Sequence, residues 1–183
     1  AASDVYKRQS LRHKDLKSWI AKWDLSNICA GGLHKGAEDG WWRTSLLVEK
    51  LQNEGNNFTI GAIDIRKAFD QMPRPVIYSI LKEAGMPEDM IESYKDYLEG
   101  LKLHNSVGEG IGSEYQQATG IPQGDPLSMM VVALYLRPWI CKMDDCGAIA
   151  RTLADDMLII THGKDHAQKF ERALNQTHLY QQK

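Results

Sequence analysis

Asp155 and Asp156 are neighbouring carboxylates in Leu153-Ala-Asp-Asp-Met-Leu-Ile-Ile160, a stretch otherwise free of polar groups. An unpaired carboxylate taken out of water costs several kcal/mol or stays protonated. Two adjacent ones also repel each other. A divalent cation is the usual means of keeping such a pair ionised. A second acidic strand end lies upstream in Ile63-Asp-Ile-Arg-Lys-Ala-Phe-Asp70, and Gly120-Ile-Pro-Gln-Gly-Asp-Pro-Leu-Ser128 lies between the two. Carboxylates as the sole donors suit magnesium, which keeps several waters and shares the phosphates of a substrate. Two such ions, roughly 3.5–4 Å apart, activate a hydroxyl nucleophile and neutralise a leaving pyrophosphate. That is the chemistry of phosphodiester synthesis.

Taken singly, these residues have plainer readings. Asp64 reads as a cap or surface residue. Asp155-Asp156 reads as a polar turn. Asp70 reads as a helix-entry cap before Pro73. Gly120–Gly124 is a proline turn, and Phe69 is core. What decides is the set, and the elements that must position it. Phe58–Ile65 is expected as a strand. Ile149–Leu153 and Met157–Thr161 form two more, joined through Ala154-Asp-Asp156. Helices are expected over 10–23 and over 41–53, the latter capped by Asp39. Two more helices open at Pro73/Pro75 and at Pro87, and end at Gly85 and Gly100. A hairpin fits 101–118. Residues 126–137 are apolar nearly all round, so that helix belongs in the interior. A polar amphipathic helix follows Asp165. The order of elements implies an α+β domain with a small antiparallel sheet packed on helices.

The bulk numbers narrow the class. The chain has 183 residues, 43% of them apolar and 25% charged, the balance of a globular protein. It has no apolar run near the roughly 20 residues of a membrane span, so no membrane partner is expected. Its start carries no secretory signal, and an intracellular location is expected. Cys29, Cys141 and Cys146 do not complete a zinc site. The net charge is −2, which is low for a free-standing nucleic-acid binder. Lys7, Arg8, Arg12, Lys14, Lys17 and Lys22 crowd the beginning and read as a solvated helix face.

The joint pattern resembles the palm of a reverse transcriptase of the non-LTR retrotransposon or group II intron-like type. That family's first acidic motif, Asp-x-x-x-Ala-Phe-Asp, is matched by Asp64 to Asp70. Its Gly-x-Pro-Gln-Gly-x-Pro-Leu-Ser is matched by Gly120 to Ser128, and its x-Ala-Asp-Asp turn by Leu153 to Asp156. All three stand in the family's order. Gly31-Gly-Leu-His-Lys-Gly36 and the following helix also resemble the segment that precedes such a palm.

The resemblance implies a fold and a set of roles. The fold is a polymerase palm over 58–183 with a partial, helical fingers region over 10–57. Residues 1–9 match none of these elements and are set aside as a non-native leader. No thumb follows, so the piece alone is expected to be inactive and to leave apolar faces open around its five tryptophans. Asp64, Asp155 and Asp156 become the catalytic metal ligands, for two Mg²⁺ ions or Mn²⁺ in their place. The Ile65 carbonyl touches a metal, and the amides near Lys67 and Ala68 meet the triphosphate. Phe69 is the gate against a ribose 2′-hydroxyl, while Gln123 and Gly124 lie beside the incoming nucleotide. Partners are an RNA template, a DNA primer and a deoxynucleoside triphosphate; the oligomeric state is open. Leu153 and Met129 depart from the family's usual aromatic and proline without removing a ligand. The implied activity is RNA-directed DNA polymerisation. The alternatives are a non-catalytic remnant or domesticated nucleic-acid-binding module, and an RNA-dependent RNA polymerase, which Phe69 disfavours.

Overall fold

The computed structural model describes Lys7, Leu11 and residues 14–182. The expected leader over 1–9, apart from Lys7, lies outside the described residues, as do Arg8 and Arg12 of the basic cluster. The elements are α1 (Lys17–Trp23), α2 (Ala37–Asn53), β1 (Phe58–Ile63), α3 (Ala68–Gln71), α4 (Arg74–Glu83), α5 (Glu88–Glu99), β2 (Ser106–Val107), β3 (Gly110–Ile111), α6 (Ser128–Asp145), β4 (Ile149–Leu153), β5 (Asp156–His162) and α7 (His166–Gln181). They divide into two compact units, one of residues 1–66 with 125–183 and one of residues 67–124.

The first unit is built on a three-stranded antiparallel sheet of order β1-β5-β4. The register runs from Phe58 opposite His162 to Ile63 opposite Met157 on one side of β5. On the other side it runs from Ile149 opposite Ile160 to Leu153 opposite Asp156. Residues paired across a ladder share a face. Gly61, Ala150, Thr152, Met157, Ile159 and Thr161 therefore line one face, and all but Gly61 of these are buried. Helix α7 packs on this sheet. A Cβ on Gly61 would stand 2.5 Å from Phe170 Cζ, so glycine there admits the aromatic ring.

Helix α6 supplies the middle of this unit and runs further than its sequence suggests. Pro138 removes an intrahelical donor and marks a stop, yet the helix continues to Asp145. Beyond the proline, Trp139, Ile140 and Met143 are fully buried. An interior proline costs about 3 kcal/mol, whereas each of these side chains gains about 2–3 kcal/mol by burial. Packing wins. Trp139 also donates its Nε1–H to Thr177 Oγ1 of α7 at 2.9 Å, and Thr177 donates to the Ala173 carbonyl at 2.8 Å.

Helix α2 starts four residues earlier than expected, at Ala37. Asp39 is not its cap but sits in its first turn, where Asp39 Oδ2 accepts the Gly36 N–H at 2.9 Å. A carboxylate at this position satisfies a free amide and faces the positive end of the helix dipole. Strand β1 stops at Ile63 rather than Ile65. Asp70 is no entry cap either, since it lies inside the short α3. The tryptophans divide: Trp19, Trp23 and Trp139 are buried, and Trp41 and Trp42 are exposed.

In the second unit α4 packs on α5, with Pro75 in the first turn of α4. Ile77, Leu81, Ile91 and Leu98 carry the buried stripes of the two helices. The β2–β3 hairpin is short, and Val107 and Ile111 on it are exposed. Among the described residues no helix is long and apolar enough to cross a membrane.

Candidate nucleotidyl-transfer site

The β1–β5 ladder brings two distant parts of the chain to one end of the first unit's sheet. Its last pair is Ile63 with Met157. Asp64 follows Ile63 directly, and Asp156 and Asp155 directly precede Met157. The three carboxylates therefore issue from the same end of adjacent strands. Asp64 and Asp156 are exposed and Asp155 is half-buried. Asp156 pairs with Leu153, so Ala154 and Asp155 form a two-residue turn. Ala154 has φ +55°. A positive φ at the first central position of a tight hairpin normally calls for glycine. With alanine it costs on the order of 1 kcal/mol, which the flanking ladder must hold in place.

Nearness is not yet a cage. Among the described residues, no three His, Cys, Asp or Glu side chains are grouped so as to hold a metal ion. The donors are of the right kind, because carboxylate oxygens with water and substrate phosphate are what magnesium takes. The carboxylates are candidate donors by type and by strand position.

Ile65 follows in the same unit and is half-buried. Lys67, Ala68, Phe69, Gln123 and Gly124 belong to the second unit. Lys67 is exposed and left-handed at φ +51°, Ala68 is buried, Phe69 is half-buried, and Gln123 and Gly124 are exposed. The second unit joins Phe69 to the glycine loop through the backbone. The Phe69 carbonyl accepts the Ile121 N–H at 2.8 Å, and the Met72 carbonyl accepts the Gly120 N–H at 2.8 Å. Thr119 Oγ1 donates to the Asp70 carbonyl at 3.0 Å. Gly120 has φ +83°, and a Cβ there would lie 2.5 Å from the Phe69 oxygen. Only glycine permits this approach.

Two arginines of consequence were not foreseen. Arg74 is 3% exposed; its Nε donates to the Gly120 carbonyl at 2.9 Å, and its Nη1 lies 3.5 Å from Glu99 Oε2. Its signal in the sequence is a lone cation between Pro73 and Pro75 at a helix start. Arg151 interrupts an apolar strand and donates from Nη1 to Thr44 Oγ1 of α2. Burial pulls its guanidinium below the usual arginine range; the Cys29 sulfur opposes this and Arg43 adds to it. Burial likewise pushes the Cys29 thiol up, against the pull of Arg151.

Comparison with known proteins supplies independent information. The family described as reverse transcriptase (RNA-dependent DNA polymerase) matches residues 8–180. The Retrovirus-related Pol polyprotein from type-2 retrotransposable element R2DM of Drosophila melanogaster is 33% identical over 133 residues, covering 68% of this chain and 12% of that protein. The corresponding polyprotein from type-1 element R2 of Popillia japonica is 24% identical over 117 residues, covering 58% of the chain and 19% of that protein. The chain thus spans under a fifth of these relatives. Among solved structures, apo telomerase from Candida tropicalis truncated from its C-terminal domain superposes with a TM-score of 0.61 at 15% identity, covering 98% of this chain and 38% of that one. Telomerase from the same organism in complex with a TWJ fragment of telomeric RNA gives 0.58 at 14% identity, covering 94% and 30%. At such identities the likeness shows the fold, a mixed one of helices and a small antiparallel sheet.

Proposed function

Because this chain belongs to the reverse transcriptase (RNA-dependent DNA polymerase) family, we propose that it carries the nucleotidyl-transfer site of a retroelement RNA-directed DNA polymerase. In this reading residues 58–183 form the polymerase palm and 10–57 part of the fingers. The observation that carries it is the register of β1 on β5, which lets Asp64 and the Asp155-Asp156 turn share one sheet end.

Asp64, Asp155 and Asp156 would hold two magnesium ions together with the substrate phosphates. When bound, the ions lower the cost of generating the attacking 3′-oxygen and neutralise the leaving pyrophosphate. The protein's own part is positioning. Asp156 begins β5, and Asp64 and Asp155 each stand one residue from a paired strand end, so the carboxylates need little reorganisation at the moment of reaction. The amides near Lys67 and Ala68 receive the triphosphate, and the Ile65 carbonyl would touch one of the metals. Phe69 sets its ring against the sugar and rejects a 2′-hydroxyl by bulk. Gln123 and Gly124 flank the incoming nucleotide, on a loop that Arg74 and the Phe69 backbone hold still. RNA is the template, as the family's description implies, and in this reading the primer is DNA.

The test is primer extension on an RNA template with deoxynucleotides, with and without magnesium, on the chain and on the longest natural reading frame that contains it. Metal-dependent synthesis that disappears in Asp155→Asn supports the reading. Synthesis that persists in that variant removes the carboxylates from the mechanism. Equal use of ribonucleotides points instead to an RNA-dependent RNA polymerase, and template binding without synthesis to a binding module.

A further inference from the structure

Gly31-Gly-Leu-His-Lys-Gly36 has the make-up of a loop that cradles phosphate, a lysine among glycines. Its lysine is turned inward instead. Lys35 Nζ donates to Asp24 Oδ1 at 2.7 Å and to the Leu25 carbonyl. Asp24 Oδ2 accepts the Leu33 N–H at 3.2 Å. The Lys35 and Asp24 side chains are only 12% and 13% exposed. A Cβ on Gly32 would stand 2.3 Å from Asp24 Oδ1, so the chain closes directly on the pair. An ion pair this far from water adds little over apolar packing but is costly to break from one side. What it fixes is the path of residues 24–35.

Asn27, Ile28 and Cys29 lie inside the loop that the pair closes. The strand order β1-β5-β4 leaves β4 at the edge of the sheet. Thr152 of β4 donates its N–H to the Asn27 carbonyl at 3.0 Å and accepts the Cys29 N–H at 2.8 Å. Both backbone groups of Thr152 are thus committed to the loop. Thr152 is 3% exposed and Ile28 is fully buried, so water does not replace the loop there. On its other flank the loop meets α6, where a Cβ on Gly31 would lie 2.1 Å from the Met129 carbonyl oxygen. Shortly after Thr152 come Ala154, at φ +55°, and then Asp155 and Asp156. Strained backbone persists only where its surroundings fix it. The ladder to β5 does this on one edge of β4, and the loop does it on the other.

We propose that Asp24 and Lys35 are positioning residues for the acidic turn. Their ion pair closes the 24–35 loop, the loop holds Thr152, and Thr152 holds the turn that carries Asp155 and Asp156. The effect on catalysis rests on the polymerase reading of that turn; the mechanical link does not.

The test is amide hydrogen exchange by NMR on the whole chain, with primer-extension kinetics on the longest natural reading frame that contains it. Asp24→Asn keeps an acceptor for the Leu33 N–H and removes the charge that holds Lys35. Exchange at Cys29, Thr152 and Asp156 should rise at least about tenfold, while α4 and α5 of the second unit exchange as before. In the kinetics kcat should fall at least about tenfold, with the KM for deoxynucleotide unchanged within about twofold, as for a small misplacement of reacting groups. The double variant Asp24→Asn with Lys35→Met removes both buried charges, so its melting temperature should lie above that of Asp24→Asn. Its exchange at Thr152 and its kcat should stay impaired, because the loop is still not closed. Recovery of exchange and kcat together with melting temperature would assign the pair to stability alone and overturn the proposal. Unchanged exchange at Thr152 in both variants overturns it, and so does faster exchange with an unchanged kcat. The exchange measurement needs no synthesis, so a failed polymerase reading and a failed clasp are told apart.

Discussion

The two units hold their candidate functional segments in different ways. In the first, Asp64 and Asp155-Asp156 come from strands far apart in sequence, and a regular ladder aligns them. In the second, Phe69 and the glycine loop contain no strand. They are joined by single backbone bonds, a buried arginine and one glycine with no room for a side chain. A ladder shares its load over many bonds, so removing one side chain at its end changes chemistry and not fold. A stitched loop has few bonds, so one substitution loosens it. The contrast predicts where activity and stability part company.

The largest effect belongs to the ladder's end. Asp155→Asn or Asp64→Asn should lower primer-extension turnover by at least about a thousandfold, roughly 4 kcal/mol of barrier, with no loss in melting temperature. A large loss of stability alongside the activity would mean the carboxylates belong to the fold. Next is Gly120→Ala, whose Cβ would collide with the Phe69 and Asp70 carbonyls at 2.5 and 2.6 Å. It should cost about 3 kcal/mol in chemical denaturation, from backbone displacement added to left-handed strain. Gly124→Ala has a similar φ of +84° but nothing near its Cβ, and should cost only about 1 kcal/mol. Equal costs at the two glycines would show that strain, not crowding, governs the loop.

Arg74→Met should cost about 2 kcal/mol, because the Gly120 carbonyl loses a charged donor in a buried setting. Hydrogen exchange at Gly120 and Ile121 should rise in step. The ion pair with Glu99 adds little to this sum, since the Glu99 side chain is 53% exposed. Phe69→Val should raise the ratio of ribonucleotide to deoxyribonucleotide incorporation about tenfold, the scale of a steric pocket change. An unchanged ratio would assign Phe69 to packing. The smallest effect has the opposite sign. Ala154→Gly removes the strain at φ +55° and should stabilise the chain by up to about 1 kcal/mol, with activity falling if the turn's rigidity matters to the site.

Several features could be read from residues alone because local rules and tertiary packing agree there. The β4–β5 turn is one, with polar residues between two apolar alternating runs. Helix α5 is another, with Pro87 before it, acid in its first turn and Gly100 at its end. The start of α2 misled, because an aspartate serves equally well as a cap or in the first turn, and Gly36 gives no sign of being the cap. Pro138 misled in the other direction. Its local cost is legible, whereas the burial of Trp139, Ile140 and Met143 that overrides it depends on what packs against them.

The sequence by itself determined the family, the acidic motifs and their order, since these reside in residue identity and spacing. Tertiary structure alone decided the rest. Strand register brought Asp64 level with the Asp155-Asp156 turn, because pairing partners are set by which faces can be buried. Backbone approach made Gly120 irreplaceable, and burial gave Arg74 and Arg151 their roles. These depend on contacts between residues 46 to 107 positions apart, a separation that no local pattern encodes.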